Sequence, residues 1–204
     1  MLFTKVKKYT EEQLLKGCQK RDDAFRNETY KTWAPYMKGV CIRYVANSEL
    51  AEDIMHEAFI KVFQNVDKVI WKGEGTFKAW MVRIMVNNCI DYLKQAKRLV
   101  NVAIENAEDI ANEYEESDDE TSLFGMVKKQ GIGKEELMEM LESLPESNRL
   151  VFNLYAIEQM KHKEIAEILG IAEEASRARL KRARIQLKEK LAIRCHYIQK
   201  TVLV

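Results

Sequence analysis

The residues best suited to bind a charged partner lie near the end of the chain. Between positions 177 and 194 there are eight Lys or Arg side chains and a single acidic one, Glu189. Four of these cations recur three or four residues apart, which puts them on one face of a helix; they are Arg177, Lys181, Arg184 and Lys188. Such a face attracts the phosphates of nucleic acid, whereas an ordinary solvated face mixes its signs.

A pair of helices is predicted to position this basic face. A short helix carries Ile165 and Leu169 on one side and ends at Gly170, which can adopt the left-handed backbone of a tight turn. The helix that follows has an apolar stripe turned about 100° from the cations, formed by Leu180, Ala183, Leu187 and Leu191. This arrangement predicts a DNA-binding helix-turn-helix. The alternative is a basic amphipathic helix that only caps its domain.

The first half of the chain shows a series of helical patterns. Thr10 and Gln13 have the spacing of a capping box, so a helix is expected to begin there. Apolar residues then recur three or four apart over 24–45, 50–66 and 77–97, and Pro35 either kinks or restarts the first of these segments. Two glycines in the segment 72–75 predict a loop before the last of them. Three long helices closing by about residue 98 form a small domain.

Charge divides the chain into three parts. The net charge is +6 over residues 1–98, −7 over 99–133 and +2 over 134–204. Nine carboxylates and no Lys or Arg lie between Glu105 and Glu120, which favours an extended linker, with transient helix as the alternative. With eight Gly and two Pro in 204 residues, we expect an all-α protein. Its two small helical domains, 1–98 and 134–204, are joined by the acidic linker 99–133.

The sequence lacks the motifs of several other kinds of chemistry. The segment that follows His56 and Glu57 has no second His in the HExxH spacing, and there is no Gly-rich phosphate loop, nucleophile elbow or paired-carboxylate motif. No CxxC pair occurs among the four cysteines, which are expected to be reduced and buried: Cys18, Cys41, Cys89 and Cys195. We therefore expect no metal, no cofactor and no enzymatic activity. Without a signal peptide or an apolar run of about 18 residues, the protein is expected to be cytoplasmic and not inserted in a membrane.

Two sets of motifs, in this order, resemble an RNA polymerase sigma factor of the extracytoplasmic-function (ECF) group, part of the sigma-70 family. In the first half, 51–63 resembles the family's second conserved region, and 75–80 with Arg83, Ile84, Asn87 and 91–93 resembles its promoter-melting regions. In the second half, the similar segments are 144–145, Arg149, 151–152, 164–166, 169–171 and 182–184. The resemblance covers about residues 10–98 and 137–192.

The resemblance implies a bacterial factor that binds core RNA polymerase and directs promoter-specific transcription initiation, with an anti-sigma factor as regulatory partner. The helix over 52–61 would dock on the polymerase clamp through Asp53, Glu57 and Lys61, each of which has a solvated surface charge as its alternative. In the second domain, Arg177, Lys181 and Arg182 would face the minus-thirty-five promoter element. Arg184 and Lys188 would bind phosphates.

The resemblance also implies that the loop and the third long helix melt the minus-ten element and hold an extruded base. Aromatic faces and cations suit this task, because stacking is worth roughly 1–3 kcal/mol per base. The candidates are Trp71, Lys72, Phe77, Lys78 and Asn87. Phe77 and Trp80 also fit a core, since they lie three apart and lead into Ile84, and Asn87 equally fits a role in bracing backbone.

Other functions compete with this one. A sigma-mimicking protein would sequester a regulator without reading DNA, but it would have no need of the basic face. A stand-alone helix-turn-helix regulator leaves the motifs of the first half without a role. The acidic linker either follows the basic nucleic-acid path of the polymerase or is a solvated tether.

Three positions depart from the family pattern, and one of them is Glu174, which stands where Gly is frequent. Lys161 stands where a Ser or Thr helix cap is common, which removes a side-chain cap worth about 1 kcal/mol. Ser176 falls on the inward stripe of the last helix, so its hydroxyl needs a backbone partner.

Overall fold

A computed structural model of the chain describes residues 9–100 and 131–202, and every regular element in these ranges is a helix. The chain divides into two compact units, Met1–Leu99 and Val100–Val204. The predicted all-α fold class is confirmed. The acidic segment between Glu105 and Glu120 lies outside the described residues. Within them, no helix is long and apolar enough to cross a membrane.

Four α-helices form the described part of the first unit. They are α1 (Glu11–Gln19), α2 (Asp23–Val45), α3 (Ser48–Asn65) and α4 (Thr76–Val100), with a 3-10 turn over Val66–Lys68 after α3. The last three match the predicted long segments within a few residues. Pro35 lies inside α2, which continues through it without a restart.

Polar side chains at the helix starts explain where these helices begin. Thr10 and Gln13 form the predicted capping box: the Gln13 N–H donates to Thr10 Oγ1 over 3.2 Å, and the Thr10 N–H donates to Gln13 Oε1 over 2.9 Å. Asp22 accepts from the Ala24 N–H at the start of α2, and Asn47 accepts from the Leu50 N–H at the start of α3. These caps are local, so the sequence alone could locate them.

The core of the first unit is apolar and contains three free thiols. Its largest fully buried side chains include Leu15, Met37, Tyr44, Phe77, Met81 and Met85. Cys18, Cys41 and Cys89 are buried and free, as expected, while the Cys195 side chain lies outside the description. Burial raises the pKa of the Cys18 thiol, and a hydrogen bond with Cys41 together with burial raises the pKa of Cys89.

The second unit contains a set of short helices packed on one long helix. Its described elements are α5 (Lys134–Glu142), α6 (Glu146–Phe152), a π-helical turn (Asn153–Ile157), α7 (His162–Leu169) and α8 (Glu173–Val202). The predicted inward stripe of α8 is confirmed, since all four of its members are buried: Leu180, Ala183, Leu187 and Leu191. This stripe faces α6 and α7, which pack against α8.

A buried cation joins α5 to α6. Arg149 is only 6% exposed, and its Nη1 donates to the Glu142 carbonyl over 3.0 Å and to the Leu144 carbonyl over 2.9 Å. Burial lowers the pKa of its guanidinium. The last carbonyls of a helix have no partner within the helix, so Arg149 supplies one at the end of α5. This contact accounts for the arginine in the resembling segment.

A close approach of α1 and α2 yields the first prediction. A Cβ at Gly17 would lie 2.1 Å from Cγ of Phe25, whereas a Cβ at Gly39 in α2 would meet nothing within 4 Å. Gly17→Ala is expected to lower the free energy of unfolding by about 1–3 kcal/mol through overpacking. Gly39→Ala is the matched control and is expected to raise it by about 0.5–1 kcal/mol. Urea unfolding measures both, and a fully stable Gly17→Ala variant would contradict this packing.

Candidate functional site

The turn between α7 and α8 has the geometry that the sequence predicted. Gly170 adopts a left-handed conformation (φ 67°, ψ 40°) and ends α7. Its N–H donates to the Ala166 carbonyl over 2.9 Å, and the Ile171 N–H donates to the same oxygen over 3.1 Å. Two residues later α8 begins at Glu173. The pair is therefore a helix-turn-helix.

Two of the three departures from the family pattern, Lys161 and Ser176, have structural compensations. Lys161 gives α7 no side-chain cap, but its N–H donates to Glu164 Oε2 over 2.8 Å, which keeps half of a capping box. Ser176 is fully buried, and its hydroxyl pairs with Nδ1 of His162 at 2.9 Å. The expectation of a backbone partner for Ser176 was wrong. A histidine in the first turn of α7 satisfies the hydroxyl across the helix pair instead.

The basic face of α8 combines exposed and half-buried cations. Arg177 is exposed, and its Nη2 lies 2.5 Å from Glu173 Oε1 one turn earlier. An exposed pair of this kind is worth only about 0.3–0.5 kcal/mol, so a phosphate could replace Glu173 at little cost. Lys181, Arg182, Arg184 and Lys188 are half-buried, and so are Arg179 and Lys190 of the same helix.

Tyr155 contacts both helices of the helix-turn-helix. The guanidinium carbon of Arg184 lies 5.6 Å from the centroid of its ring, within the range of a cation–π contact. The same ring stacks with His162, with centroids 4.5 Å apart and planes 24° apart. Tyr155 belongs to the π-helical turn. Sequence analysis missed this residue, because a regular helical period gives no sign of such a turn.

In the first unit, the predicted loop lies between the 3-10 turn and α4. We call residues 69–75 the α3–α4 loop. Gly73 (φ 126°) and Gly75 (φ 88°) both adopt positive φ, as their place in a loop suggested. Thr76 Oγ1 donates to the Gly73 carbonyl over 2.7 Å and accepts from the Lys72 N–H over 3.3 Å. The most exposed apolar side chain here is Ile70, at 74%, a residue that sequence analysis did not select.

The start of α4 is bound by a residue of α1. Glu11 is 8% exposed. Its Oε1 accepts from the N–H groups of Phe77 (2.7 Å) and Lys78 (3.0 Å), and its Oε2 accepts from the Gly75 N–H (3.0 Å). Sequence analysis missed this role because Glu11 lies 64 or more residues from these partners and had an obvious place in the first turn of α1.

The other end of α1 binds the other end of the loop. Nε2 of Gln19 donates to the Val69 carbonyl over 2.9 Å and to the Val66 carbonyl over 3.3 Å. The chain on either side of the α3–α4 loop is therefore attached to α1, by Gln19 before the loop and by Glu11 after it.

The aromatic and cationic candidates near this loop differ in how exposed they are. Lys72 is exposed and Trp71 is half-buried, so both are accessible. Phe77 is fully buried, which corrects its selection as a base-stacking candidate. Its ring stacks on the half-buried Trp80, with centroids 6.2 Å apart. Phe77 belongs to the core because it lies on the inward face of the first turn of α4.

Lys78 and Asn87 both lie on α4. The Lys78 ammonium is 4.1 Å from the ring centroid of Tyr36 and 5.8 Å from that of Trp33, so two aromatic rings of α2 attract this cation. Asn87 is exposed. Its neighbour Asn88 is the residue that braces backbone, with Nδ2 donating to the Ile84 carbonyl over 2.7 Å.

The three candidates of α3 are exposed but not equivalent. Asp53, Glu57 and Lys61 all lie at the surface. The ammonium of Lys61 donates to Oδ1 of Asn88, which ties this side chain to α4. Ile60 is 58% exposed between Glu57 and Lys61. Sequence analysis passed over Ile60, although its position off the apolar stripe of α3 was a usable sign that it faces solvent.

Contacts with α2 engage two other polar residues of α3. Lys38 Nζ lies 2.5 Å from Glu52 Oε2, and this hydrogen bond lowers the pKa of the Glu52 carboxyl. The Tyr30 hydroxyl lies 2.8 Å from Nε2 of His56. The exposed surface of α3 is thus bordered on its α2 side by Glu52 and His56.

Comparison with known proteins gives the family. The chain matches the family described as Sigma-70 region 2 over residues 29–99 and the family described as Sigma-70, region 4 over residues 134–187. Among curated relatives, the ECF RNA polymerase sigma-E factor of Haemophilus influenzae is 26% identical over 187 residues, which cover 89% of this chain and 95% of that protein. The sigma-E factor of Escherichia coli is 27% identical over 188 residues, with coverage of 89% and 94%.

Among solved structures, one titled CnrH in complex with the cytosolic domain of CnrY covers 90% of this chain and 97% of its own. Its sequence identity is 18% and its TM-score is 0.45.

The two regions and these relatives make this chain a member of the ECF group of the sigma-70 family. It is a sigma factor that directs transcription. The resemblance inferred from the sequence motifs is confirmed.

The pair between α7 and α8 yields the second prediction. Ser176→Ala removes the buried hydroxyl that pairs with Nδ1 of His162 and is expected to lower the free energy of unfolding of the second unit by about 1–3 kcal/mol. Ser143→Ala is the control, because the Ser143 hydroxyl donates to the Met140 carbonyl at an exposed site. Thermal unfolding with a probe in the second unit measures the change. Equal stability of the two variants would show that the buried bond contributes nothing.

Proposed function

We propose that this sigma factor binds core RNA polymerase through α3, melts the minus-ten promoter element at the α3–α4 loop, and reads the minus-thirty-five element with α8. The observation that carries the proposal is the helix-turn-helix of the second unit: α8 buries one apolar stripe while its cations remain at or near the surface. The order of the two matched sigma-70 regions along the chain supports the same division of labour.

In the second unit, the position of a cation along α8 suggests its role. The N-terminal residues of a recognition helix reach base edges in the major groove. Arg177, Lys181 and Arg182 occupy the first turns of α8, so we assign them to the minus-thirty-five element. Arg184 and Lys188 lie further along, and the Tyr155 ring restrains the Arg184 guanidinium. Restraint of this kind suits a phosphate contact, which positions the protein without reading sequence.

In the first unit, side chains rather than a helix end must contact the melted strand. The first N–H groups of α4 attract anions in most helices, but here they are taken by Glu11. We therefore assign the strand to Lys72 and Trp71 of the loop and to Asn87 on the exposed face of α4. Lys78 would contribute charge from its place over Tyr36.

On α3, an exposed apolar side chain shares the helix surface with charged ones, which is the make-up of an interface. Interface centres favour apolar residues and interface rims favour polar ones. Ile60 is exposed, and so are Asp53, Glu57 and Lys61 of the same helix. We assign this face to the polymerase clamp. An anti-sigma factor that covers one of these faces stays a prediction.

The rival functions account for less of the chain. A stand-alone helix-turn-helix regulator gives no role to the sigma-70 region 2 match or to the exposed face of α3. A sigma mimic that does not read DNA gives no role to the cations of α8. Binding of core polymerase and of promoter DNA by the same chain separates the proposal from both rivals.

The α3 face yields the third prediction. Ile60→Glu is expected to weaken binding to core polymerase at least about tenfold, because a charge would replace the apolar centre of the interface. Ile193→Glu is the matched control, since Ile193 is 59% exposed against 58% for Ile60 but lies on α8. Fluorescence anisotropy with labelled sigma factor measures the affinity. Equal affinity of the two variants would rule out α3 as the docking face.

The basic face of α8 yields the fourth prediction. Arg184→Ala is expected to weaken promoter binding by the holoenzyme across all sequences and to reduce the salt slope by about one, because one phosphate contact is lost. Arg182→Ala should instead relax base preference at one position. Lys190→Ala serves as control, since Lys190 lies on α8 off the basic stripe. Promoter-binding titrations at several salt concentrations measure these effects. An unchanged salt slope for Arg184→Ala would contradict the assignment.

A further inference from the structure

We propose that α1 is a positioning element for promoter melting, and that Glu11 is the positioning residue through which it acts. This inference rests on the proposed function, because it concerns how the α3–α4 loop is presented to DNA. The loop's side chains do the contacting, and Glu11 controls the backbone from which they project.

The start of α4 lacks hydrogen-bond acceptors for its first N–H groups. The first N–H groups of a helix have no acceptor within the helix. A Thr commonly supplies one, but the Thr76 hydroxyl donates to Gly73 and is bonded to the Lys72 N–H, so it serves the loop. The Phe77 and Lys78 N–H groups donate instead to Glu11 of α1, which lies 66 and 67 residues earlier in the chain.

The contact between Glu11 and the start of α4 requires a carboxylate. The Glu11 side chain offers two acceptor oxygens, and three N–H groups use both of them. Glutamine has the same shape, but one of its two terminal atoms is an NH2 group that would face an N–H donor. The negative charge also interacts favourably with the N-terminus of α4. An isosteric amide therefore loses both a hydrogen bond and the charge.

Helix α1 connects the two sides of the α3–α4 loop. Helix α1 has nine residues, or about 13 Å at 1.5 Å per residue. Gln19 near one end bonds the carbonyls of Val66 and Val69, and Glu11 at the other end bonds Gly75, Phe77 and Lys78. The helix thus acts as a rigid spacer across a loop that contains two glycines at positive φ. The exposed loop residues Ile70 and Lys72 project from between these attachments.

The contacts of Glu11 concern promoter melting and not polymerase binding. The face assigned to the polymerase lies on α3, and α3 has its own N-terminal cap, Asn47. None of the hydrogen bonds of Glu11 goes to α3. Loss of the Glu11 carboxylate should therefore loosen the loop and leave the α3 face in place. A residue that only stabilised the fold would affect both steps together.

The test uses reconstituted holoenzyme with the Glu11→Gln variant. We expect affinity for core polymerase within twofold of the wild type, and promoter opening reduced at least about tenfold, measured by the fluorescence of 2-aminopurine placed in the minus-ten element. On a promoter opened in advance by mismatched bases, the deficit should shrink. Glu12→Gln is the matched control: it removes the same charge from the next residue of α1, whose carboxylate pairs with Lys16 at the surface in the part of the chain that the structure describes. It should open the promoter normally.

Two further measurements keep the proposal decidable if Glu11→Gln unfolds. Glu11→Asp keeps the charge and should recover part of the opening activity. In the wild-type protein, hydrogen exchange of the Phe77 and Lys78 amides should be slow, and it should be as slow in Glu12→Gln. Normal opening by Glu11→Gln, equal losses of core binding and opening in a folded variant, or fast exchange of these amides in the wild type would each overturn the inference. If the wild type itself opens no promoter, the proposed function fails, while the exchange rates still report on the contact.

Discussion

A single buried carboxylate sets the geometry on which the first unit depends. Glu11 accepts three backbone N–H groups at the start of α4, and a buried charge is tolerated only when it is paired or hydrogen-bonded in this way. The same contact fixes where α4 begins and how the α3–α4 loop leaves the core. The second unit has the complementary contact at a helix C-terminus. There the buried Arg149 guanidinium serves the carbonyls at the end of α5, and each charge has the sign that the helix dipole favours at its end.

The functional helices share a second constraint, since each must bury one stripe and still present another. In α8, Leu180, Ala183 and Leu187 are buried, and the cations one position away, Lys181, Arg184 and Lys188, are only half-buried. In α3, the buried stripe of Ile54, Ala58 and Val62 leaves Ile60 exposed. The burial pattern that stabilises each unit therefore also determines which side chains its partners can meet.

Features set by local sequence were predictable. The capping box of Thr10 and Gln13, the left-handed turn at Gly170 and the inward stripe of α8 each depend on residues within a few positions of one another. The sigma-70 motifs likewise lie in short segments, so the family could be recognised from them.

Features that join distant segments were not predictable. Glu11 meets its partners across more than 60 residues, Lys61 meets Asn88 across 27, and Ser176 meets His162 across 14. Nothing in a helical period indicates such pairings. Phe77 shows the other limit, because its spacing fitted both a core ring and a base-stacking ring, and only the packing places it in the core.

The most direct measurement of the central claim is transcription from genomic DNA by core polymerase with and without this chain, with every transcript start mapped. We predict a new set of discrete starts that appear only when the chain is present and that share two upstream sequence elements. Starts identical to those of core polymerase alone, from a folded chain that binds the enzyme, would contradict this claim.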